Sequence, residues 1–595
     1  MRGDKSIAPF ADGLEIRAFT KLGCHKTADG YVFRVWAPEA NAAFVTGDFN
    51  GWSEGTPMVK VDPAGLWEGF VPAENITVGS LYKYKFINGE KEIYKADPFA
   101  PFAGGYPESA SRVFSHGGYG WRDGQWLSER KKKYSQDGAR KLPINIYELH
   151  LPSWKRSKNG GYISYDSLSD DLAPYLLQMG YTHIELIDPF EEAEDGKSSF
   201  YAMSARLGDP VAFKSFVDSM HRAGIGVILD WNISRFSICE HGLSSFDGGC
   251  TYEKQGNEEK GRFDMSLGSV QSFIISNAVY LAEIYHIDGL RIESLASCLY
   301  DDRGIPVRSA VSLIRRLNGV MRDYFPDVMM IADDLFGSSA VTSNASGGLG
   351  FTFKWDSVCT RDTLAYAQVG LEERARHTGE LSAPLKHAFG EASVLTLAHS
   401  DVTNGRESFI NKMPGTYNEK FAGNRVFFTY MMTRPGKKLR FMGSEIGQFD
   451  EWDENGEIQW FLLDYRNHAA IQLYLAELGR IYLETPALWE LDCTPRGFSL
   501  DSAQGGVFAY RRFDSEGGEV AVALNFTPYR ICKYSIGVSH SGTWEELISS
   551  DSTRFGGSGV ENGTVEALPK RSGALSHSLA VDLPPLGAVI LEYIK

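Results

Sequence analysis

Four apolar runs in this chain end in side chains that can move protons or attack carbon. They give Asp230 in "ILDWNISRF", Arg291 and Glu293 in "GLRIES", Asp333 and Asp334 in "MIADDL", and His399, Ser400 and Asp401 in "LAHSDV". Taken singly, an aspartate at the end of a strand is most often a helix cap or a loop acceptor. Brought to one rim, paired carboxylates are the equipment of glycoside chemistry. One protonates the leaving oxygen while another attacks the anomeric carbon in a retaining mechanism.

The elements that would bring them together are legible as a repeat. From Ile144 onward, buried strand candidates alternate with helical stretches: "INIYELHL", "HIELI", "GVILDW", "DGLRIE", "VMMIADD", "GFTFKW", "VLTLAHS" and "KKLRFMGSE". Between them lie segments such as "DPVAFKSFVDSMHRAG", where Phe213, Phe216, Val217 and Met220 recur at helical spacing. Strand and helix in alternation predict a closed parallel (β/α)8 TIM barrel over 144–485, with its active site at the C-terminal strand ends.

On either side the pattern changes to short alternating runs with turn punctuation. Residues 13–118, with "YVFRVWAP", "NAAFVTGDFNGW", "LWEGFVP" and "SLYKYKFING", predict a small β-sandwich. Residues 490–595, with "GVFAYRRF", "VAVALNF" and "AVILEYI", predict a second one. The basic stretch 119–143, "GWRDGQWLSERKKKYSQDGARKL" and its flanks, reads as a solvated linker.

Composition narrows the partners. At 595 residues with 43% apolar, the chain is too long for a single ordinary domain. A formal net charge of -16 argues against nucleic acid and anionic membranes, and leaves a neutral polymer acceptable. No run of about 18 apolar residues is present, and "MRGDKSIAPFADG" lacks the apolar core of a secretion signal, so a cytoplasmic protein is expected. The seven cysteines are scattered without a C-x-x-C pair, which predicts reduced and mostly buried thiols. The histidines are dispersed and no carboxylate cluster has calcium-loop spacing, so no metal or other cofactor is expected.

With these residues in view, nearly the whole chain resembles a known family. The stretches "KLGCH", "FRVWAPEANAAFVTGDFNGW", "YELHLPSW", "GYTHIELI", "HRAGIGVILDW", "IDGLRIESLASCLYDD", "GGLGFTFKW", "KMPGTYNEKFAGNR" and "PGKKLRFMGSEIGQFDEWD" are similar to bacterial 1,4-α-glucan (glycogen) branching enzymes. These belong to the α-amylase superfamily, glycoside hydrolase family 13. The resemblance implies an N-terminal glucan-binding sandwich, a barrel, a C-terminal sandwich, an α-1,4-glucan such as glycogen or starch as partner, and association with other glycogen enzymes. It also implies sugar contacts in the N-terminal module from Trp52 of "DFNGW", Lys85 of "KYKFING" and Tyr94, each of which could equally be sandwich packing.

The departures from the family are concentrated at the rim. By the resemblance, Glu293 stands where the aspartate nucleophile belongs, Asp333 where the acid/base glutamate belongs, and Ser400 where a substrate-binding, transition-state-stabilising aspartate belongs. Asp401 follows where a glutamate is usual, Arg235 replaces a sugar-contacting histidine, and "EEAEDGKSSFYA" replaces the segment carrying an aromatic platform. Asp230, Arg291 and His399 match and are expected to bind substrate.

These changes bear on rate. A displacement of about 1 Å between reacting atoms costs on the order of 100-fold. Losing one electrostatic stabiliser costs about 2.7–4 kcal/mol of transition-state stabilisation. Arg235 adds positive charge where positive charge develops. The expectation is a branching-enzyme relative that binds α-glucan with a degenerate barrel. The alternatives are an active transferase with a reshaped site, in which Asp334 or Asp401 steps in, and a structural partner that has lost sugar binding.

Overall fold

The computed structural model describes residues 6–105, 109–135, 137–193, 196–197, 199–256, 261–301, 303–333, 340–345, 347–386 and 389–594. Its centre is a closed barrel of eight parallel strands: Asn145–Leu149, His183–Leu186, Gly226–Trp231, Gly289–Ile292, Met329–Ala332, Phe353–Trp355, Ser393–Leu397 and Lys437–Phe441. Each falls within one of the eight runs expected to form a strand, except that the seventh starts one residue before its run, at Ser393. The first and eighth pair in register, Ile146 beside Leu439, which closes the sheet and leaves no edge.

The barrel interior is stratified by the two-residue period of its strands. Ile146, Ile228, Ile331, Phe353, Val394 and Leu439 form one apolar cluster inside it. Two residues further along their strands the same inward positions are Glu148, Asp230 and Asp333. The carboxylates are therefore carried on a dry apolar floor at the C-terminal end. The helices outside follow the expected periodicity. In Pro210–Arg222 the Asp209 carboxylate caps the N–H groups of Val211 and Ala212, and Phe213, Phe216, Val217 and Met220 are all fully buried. Replacing that cap by alanine would cost about 1 kcal/mol.

Two β-sandwiches flank the barrel. The N-terminal one packs the sheet of Gly23–Lys26, Gly30–Trp36, Leu66–Pro72 and Val59–Asp62 against a second sheet built on Ala42–Gly47, Leu81–Asn88 and Lys91–Lys95. Phe33, Val45, Tyr82, Tyr84 and Phe86 are fully buried within it. The C-terminal one sets a six-stranded sheet against the pair Ile531–Val538 and His577–Leu583. Ile536, Val538, Leu579, Val581 and Trp544 fill the space between.

The stretch 119–143 corrects the expectation of a solvated linker. It contains a helix, Gly124–Tyr134, bound tightly to the base of the barrel. Arg130 is 6% exposed and reaches Asp288 at 2.7 Å and Asp327 at 2.7 Å. Trp126 Nε1 donates to Asp288 at 2.8 Å, and Asp123 accepts from His221 at 3.0 Å and from His286 at 2.8 Å. Lysines 131–133 lie on the outer face, exposed as expected, together with Gln125, Ser128 and Glu129. The helix covers the N-terminal strand ends, so its polar side chains are matched to partners that appear much later in the chain.

The thiols also differ from expectation. All seven cysteines are free, but only Cys24, Cys298 and Cys359 are buried, while Cys250 and Cys532 are exposed. Among the described residues no helix is long and apolar enough to cross a membrane.

Candidate active site at the barrel mouth

Arg291 organises the mouth. It is 1% exposed and its guanidinium contacts three carboxylates: Glu185 at 2.9 Å, Asp230 at 2.5 Å and Asp333 at 3.2 Å. Its other face covers the Trp355 ring, 4.0 Å from the centroid. Burial opposes its charge, but the three carboxylates raise its pKa further above the ordinary arginine range. Burial raises the pKa of Glu185 well above the usual carboxylate range, against the pull of Arg291. Asp333 is raised in the same way, by burial first, with Arg291 and the Ser294 N–H opposing.

Sequence reading missed two members of this cluster, Glu185 and Glu148, both fully buried. Glu148 holds His399 by two bonds: Oε1 to Nδ1 at 2.7 Å and Oε2 to the backbone N–H at 2.7 Å. Burial pulls the His399 pKa down, but the adjacent Glu148 carboxylate overrides it and lifts it to about 9. The signal in the sequence was an acid inside an apolar run, "YEL" and "IEL", where burial without a partner would be prohibitive.

The singled-out residues are placed unequally. Glu293 follows the fourth strand and is half-buried, its backbone N–H bonded to the Trp231 carbonyl at 3.1 Å. Ser294 beside it is left-handed, φ 48 and ψ 51, and turns its N–H to Asp333 at 3.3 Å. A left-handed non-glycine residue costs roughly 1–2 kcal/mol and is retained where surrounding contacts enforce it. Asp333 is 7% exposed and tied to Arg291 and Ser294. Asp334 lies outside the described residues.

Ser400 is exposed, and Arg406 donates to its carbonyl at 2.6 Å. Asp401 turns back on its own helix, His399–Val402, and accepts the Ala398 N–H at 2.9 Å. Burial, partly opposed by that N–H, lifts its pKa to about 6. Arg235 is exposed on the loop after the third strand, where Asn232 Oδ1 accepts its backbone N–H at 3.3 Å. In the segment 191–202, residues 194, 195 and 198 lie outside the described residues. Its two aromatic rings are buried in the core: Phe200 packs on Phe263 and Phe273, and Tyr201 donates to the Phe273 carbonyl at 3.2 Å. Trp452 lines the mouth instead, its ring 6.4 Å from His399 and 5.3 Å from His150.

On the N-terminal module, strand register sets Pro57, Phe44, Lys85 and Tyr94 in one row across four strands. The Lys85 ammonium pairs with Glu92 at 2.8 Å and lies 5.7 Å from the Tyr94 ring centroid and 6.0 Å from that of Phe44. Trp52 is 42% exposed, so it is not sandwich core, and its Nε1 donates to Asp48 at 2.9 Å.

Fold, mouth and module together define an α-amylase-type barrel protein with a carbohydrate-binding sandwich. Residues 21–100 match carbohydrate-binding module 48 (isoamylase N-terminal domain), and residues 499–594 match the alpha amylase C-terminal all-beta domain. In structure the chain is similar to type I pullulanase from Bacillus subtilis complexed with maltose, at TM-score 0.73 and 17% identity over 98% of this chain and 88% of that one. It is also similar to apo pullulanase from Paenibacillus barengoltzii, at TM-score 0.70 and 15% identity over 96% and 94%. These likenesses concern the fold. In sequence it is 39% identical to the 1,4-alpha-glucan branching enzyme GlgB of Albidiferax ferrireducens over 100% of both chains. It is 38% identical to that of Bacillus subtilis over 98% of this chain and 97% of the relative. The chain belongs to the GlgB branching-enzyme family.

Proposed function

We propose that this chain acts in α-glucan metabolism by binding α-1,4-glucan, and that its barrel has lost most or all of the branching reaction. The reading is carried by one observation: at the third catalytic address Ser400 offers no anion, and the neighbouring carboxylate, Asp401, is committed to the Ala398 N–H. Asp333 adds support, since a carboxylate held by Arg291 and Ser294 within the barrel wall is poorly placed to protonate a leaving oxygen. The exposed Trp52, together with Lys85 and Tyr94 of the paired strands, is the proposed glucan contact of the N-terminal module. Asp230, Arg291 and His399 are the proposed substrate-binding remnant of the mouth, with Arg235 and Asp401 as its altered members.

The competing reading is an active branching enzyme with a reshaped site, favoured by the two carboxylates, Glu293 and Asp333, that remain on one rim. In that reading Glu293 attacks the anomeric carbon and Asp333 protonates the departing O4. A 6-hydroxyl of another chain then displaces Glu293, giving up its proton to Asp333. Incubation with amylose, enzymatic debranching and analysis of the released chains separates the two. New α-1,6 linkages at control level support the degenerate reading, and steady accumulation refutes it. Absence of affinity for glycogen, with Trp52→Ala behaving as wild type, refutes the binding claim.

A further inference from the structure

Away from the mouth, one buried guanidinium lacks a counter-charge. Arg434 follows the helix Tyr417–Thr433 and is 2% exposed, yet its Nη1 donates to the Cys359 sulfur and its Nε and Nη2 make no hydrogen bond. Among the described residues no carboxylate pairs with it; Asp356 acts on it only through space, its Oδ1 accepting the Cys359 N–H at 3.1 Å. Arg374, also fully buried without a carboxylate, spends its Nε, Nη1 and Nη2 on three backbone carbonyls, a set that Arg434 does not have. An arginine does not shed its proton at this depth, so an uncompensated guanidinium here strongly disfavours the folded state.

The neighbouring groups do not supply the missing charge. Burial pushes the Cys359 thiol up, against the pull of Arg434, so the thiol stays protonated at neutral pH. Three more cationic side chains are buried around the same helix end. Lys438 Nζ donates to the Arg434 carbonyl at 2.6 Å and Arg512 Nη1 to the Thr433 carbonyl at 2.6 Å. Asp492 pairs with Lys437 at 3.0 Å and with Arg512 at 2.7 Å, which commits it to those two. Burial drives the Lys438 pKa well below the ordinary lysine range, so that amine can be neutral. Arg434 is the charge left over.

We propose that the cavity beside Arg434 binds a small inorganic anion of about the size of chloride. The cavity measures about 10 Å³ and lies between the seventh barrel strand and the helices Ser357–Gln368 and Tyr417–Thr433, with Cys359, Thr363, Leu395, Met431 and Arg434 in its lining. That is room for one small species. Its polar groups suit an anion: guanidinium N–H groups, the Cys359 thiol and the Thr363 hydroxyl can all donate, and Cys359 is the third residue of its helix, where the macrodipole is positive. The leucine and methionine walls leave no place for a bulky or organic anion. A water molecule would take the hydrogen bonds but leave the charge uncompensated. The site also bears on domain docking, because Thr433, next to Arg434, meets the Tyr510 hydroxyl of the C-terminal sandwich at 2.6 Å.

The test is thermal melting of the full chain at constant ionic strength, with sodium gluconate replaced stepwise by sodium chloride or sodium bromide, for wild type, Arg434→Met and Cys359→Asp. A ligand that binds only the folded chain raises the melting midpoint, here by about 2 °C or more as either halide saturates the wild type. Arg434→Met removes the charge and should lose the response. Cys359→Asp sets a fixed carboxylate of similar volume beside the guanidinium, so it should melt in gluconate as the wild type does in chloride and gain nothing from halide. If Arg434→Met does not fold, Cys359→Asp decides alone. Crystals grown in bromide should show its anomalous signal beside the Arg434 guanidinium. A wild-type melt indifferent to both halides means that the cavity holds water and overturns the site. A halide response that survives in Cys359→Asp places the anion elsewhere and overturns it as well.

Discussion

Replacing Arg291 with methionine tests whether the mouth is held together by one buried cation. The change removes contacts to Glu185, Asp230 and Asp333 at 2.9, 2.5 and 3.2 Å and leaves three carboxylates in the barrel wall without it. Breaking a buried ion pair by removing one partner costs about 3–5 kcal/mol, and here one partner serves three. The loss of the Trp355 contact adds to this, although methionine refills part of the volume. The penalty should depend on pH. Without the guanidinium the three acids hold protons more tightly in the folded state than in the unfolded state, so the variant regains stability as pH falls. Urea unfolding followed by tryptophan fluorescence should show a loss of about 3–5 kcal/mol at pH 7 and a clearly smaller one at pH 5. A loss under about 1 kcal/mol, or one equal at both pH values, would show that Arg291 does not compensate these charges.

Other changes give equally definite outcomes. Glu148→Gln removes the group that lifts His399 to about 9, so burial alone should bring its titration below 6.5, as read by NMR of labelled histidine. Wild-type stability from this pair is full below the unfolded histidine pKa and is lost as pH rises through about 9, a slope that the variant should lack. Arg130→Met should destabilise the fold by about 3–5 kcal/mol and open residues 119–143 to limited proteolysis, because Asp288 and Asp327 lose their cation. Glu293→Asp, Asp333→Glu and Ser400→Asp together should not restore branching, and adding Arg235→His should do more than the three alone. Strong activity in the triple variant would confine the degeneration to three side chains.

The barrel was legible in the sequence because its strands are apolar runs separated by helices, and the polar residues at their ends fall on one rim whatever the details of packing. What escaped was set by distant partners. Arg130 looks like one more charge in a basic run, and only Asp288 and Asp327, far along the chain, reveal that it faces inward. Glu148 sits two residues beyond the apolar floor position Ile146 and Glu185 lies beside it in register, a placement visible only once the strand pairing is known. Asp401 followed the ordinary behaviour of a strand-end aspartate, bonding a local N–H, rather than the role its neighbourhood suggested. The row through Phe44, Lys85 and Tyr94 likewise depends on pairing between strands, whereas the exposure of Trp52 was an open alternative that burial decides.

The most direct measurement is branching itself. Purified full-length protein incubated with amylose, then debranched, should release no short chains above a no-protein control, while the same preparation migrates more slowly in a glycogen gel than in a plain one. Binding without branching is the expected result. Short chains that accumulate steadily with time and with protein concentration would contradict it, and would make Glu293 and Asp333 a working pair in a reshaped site.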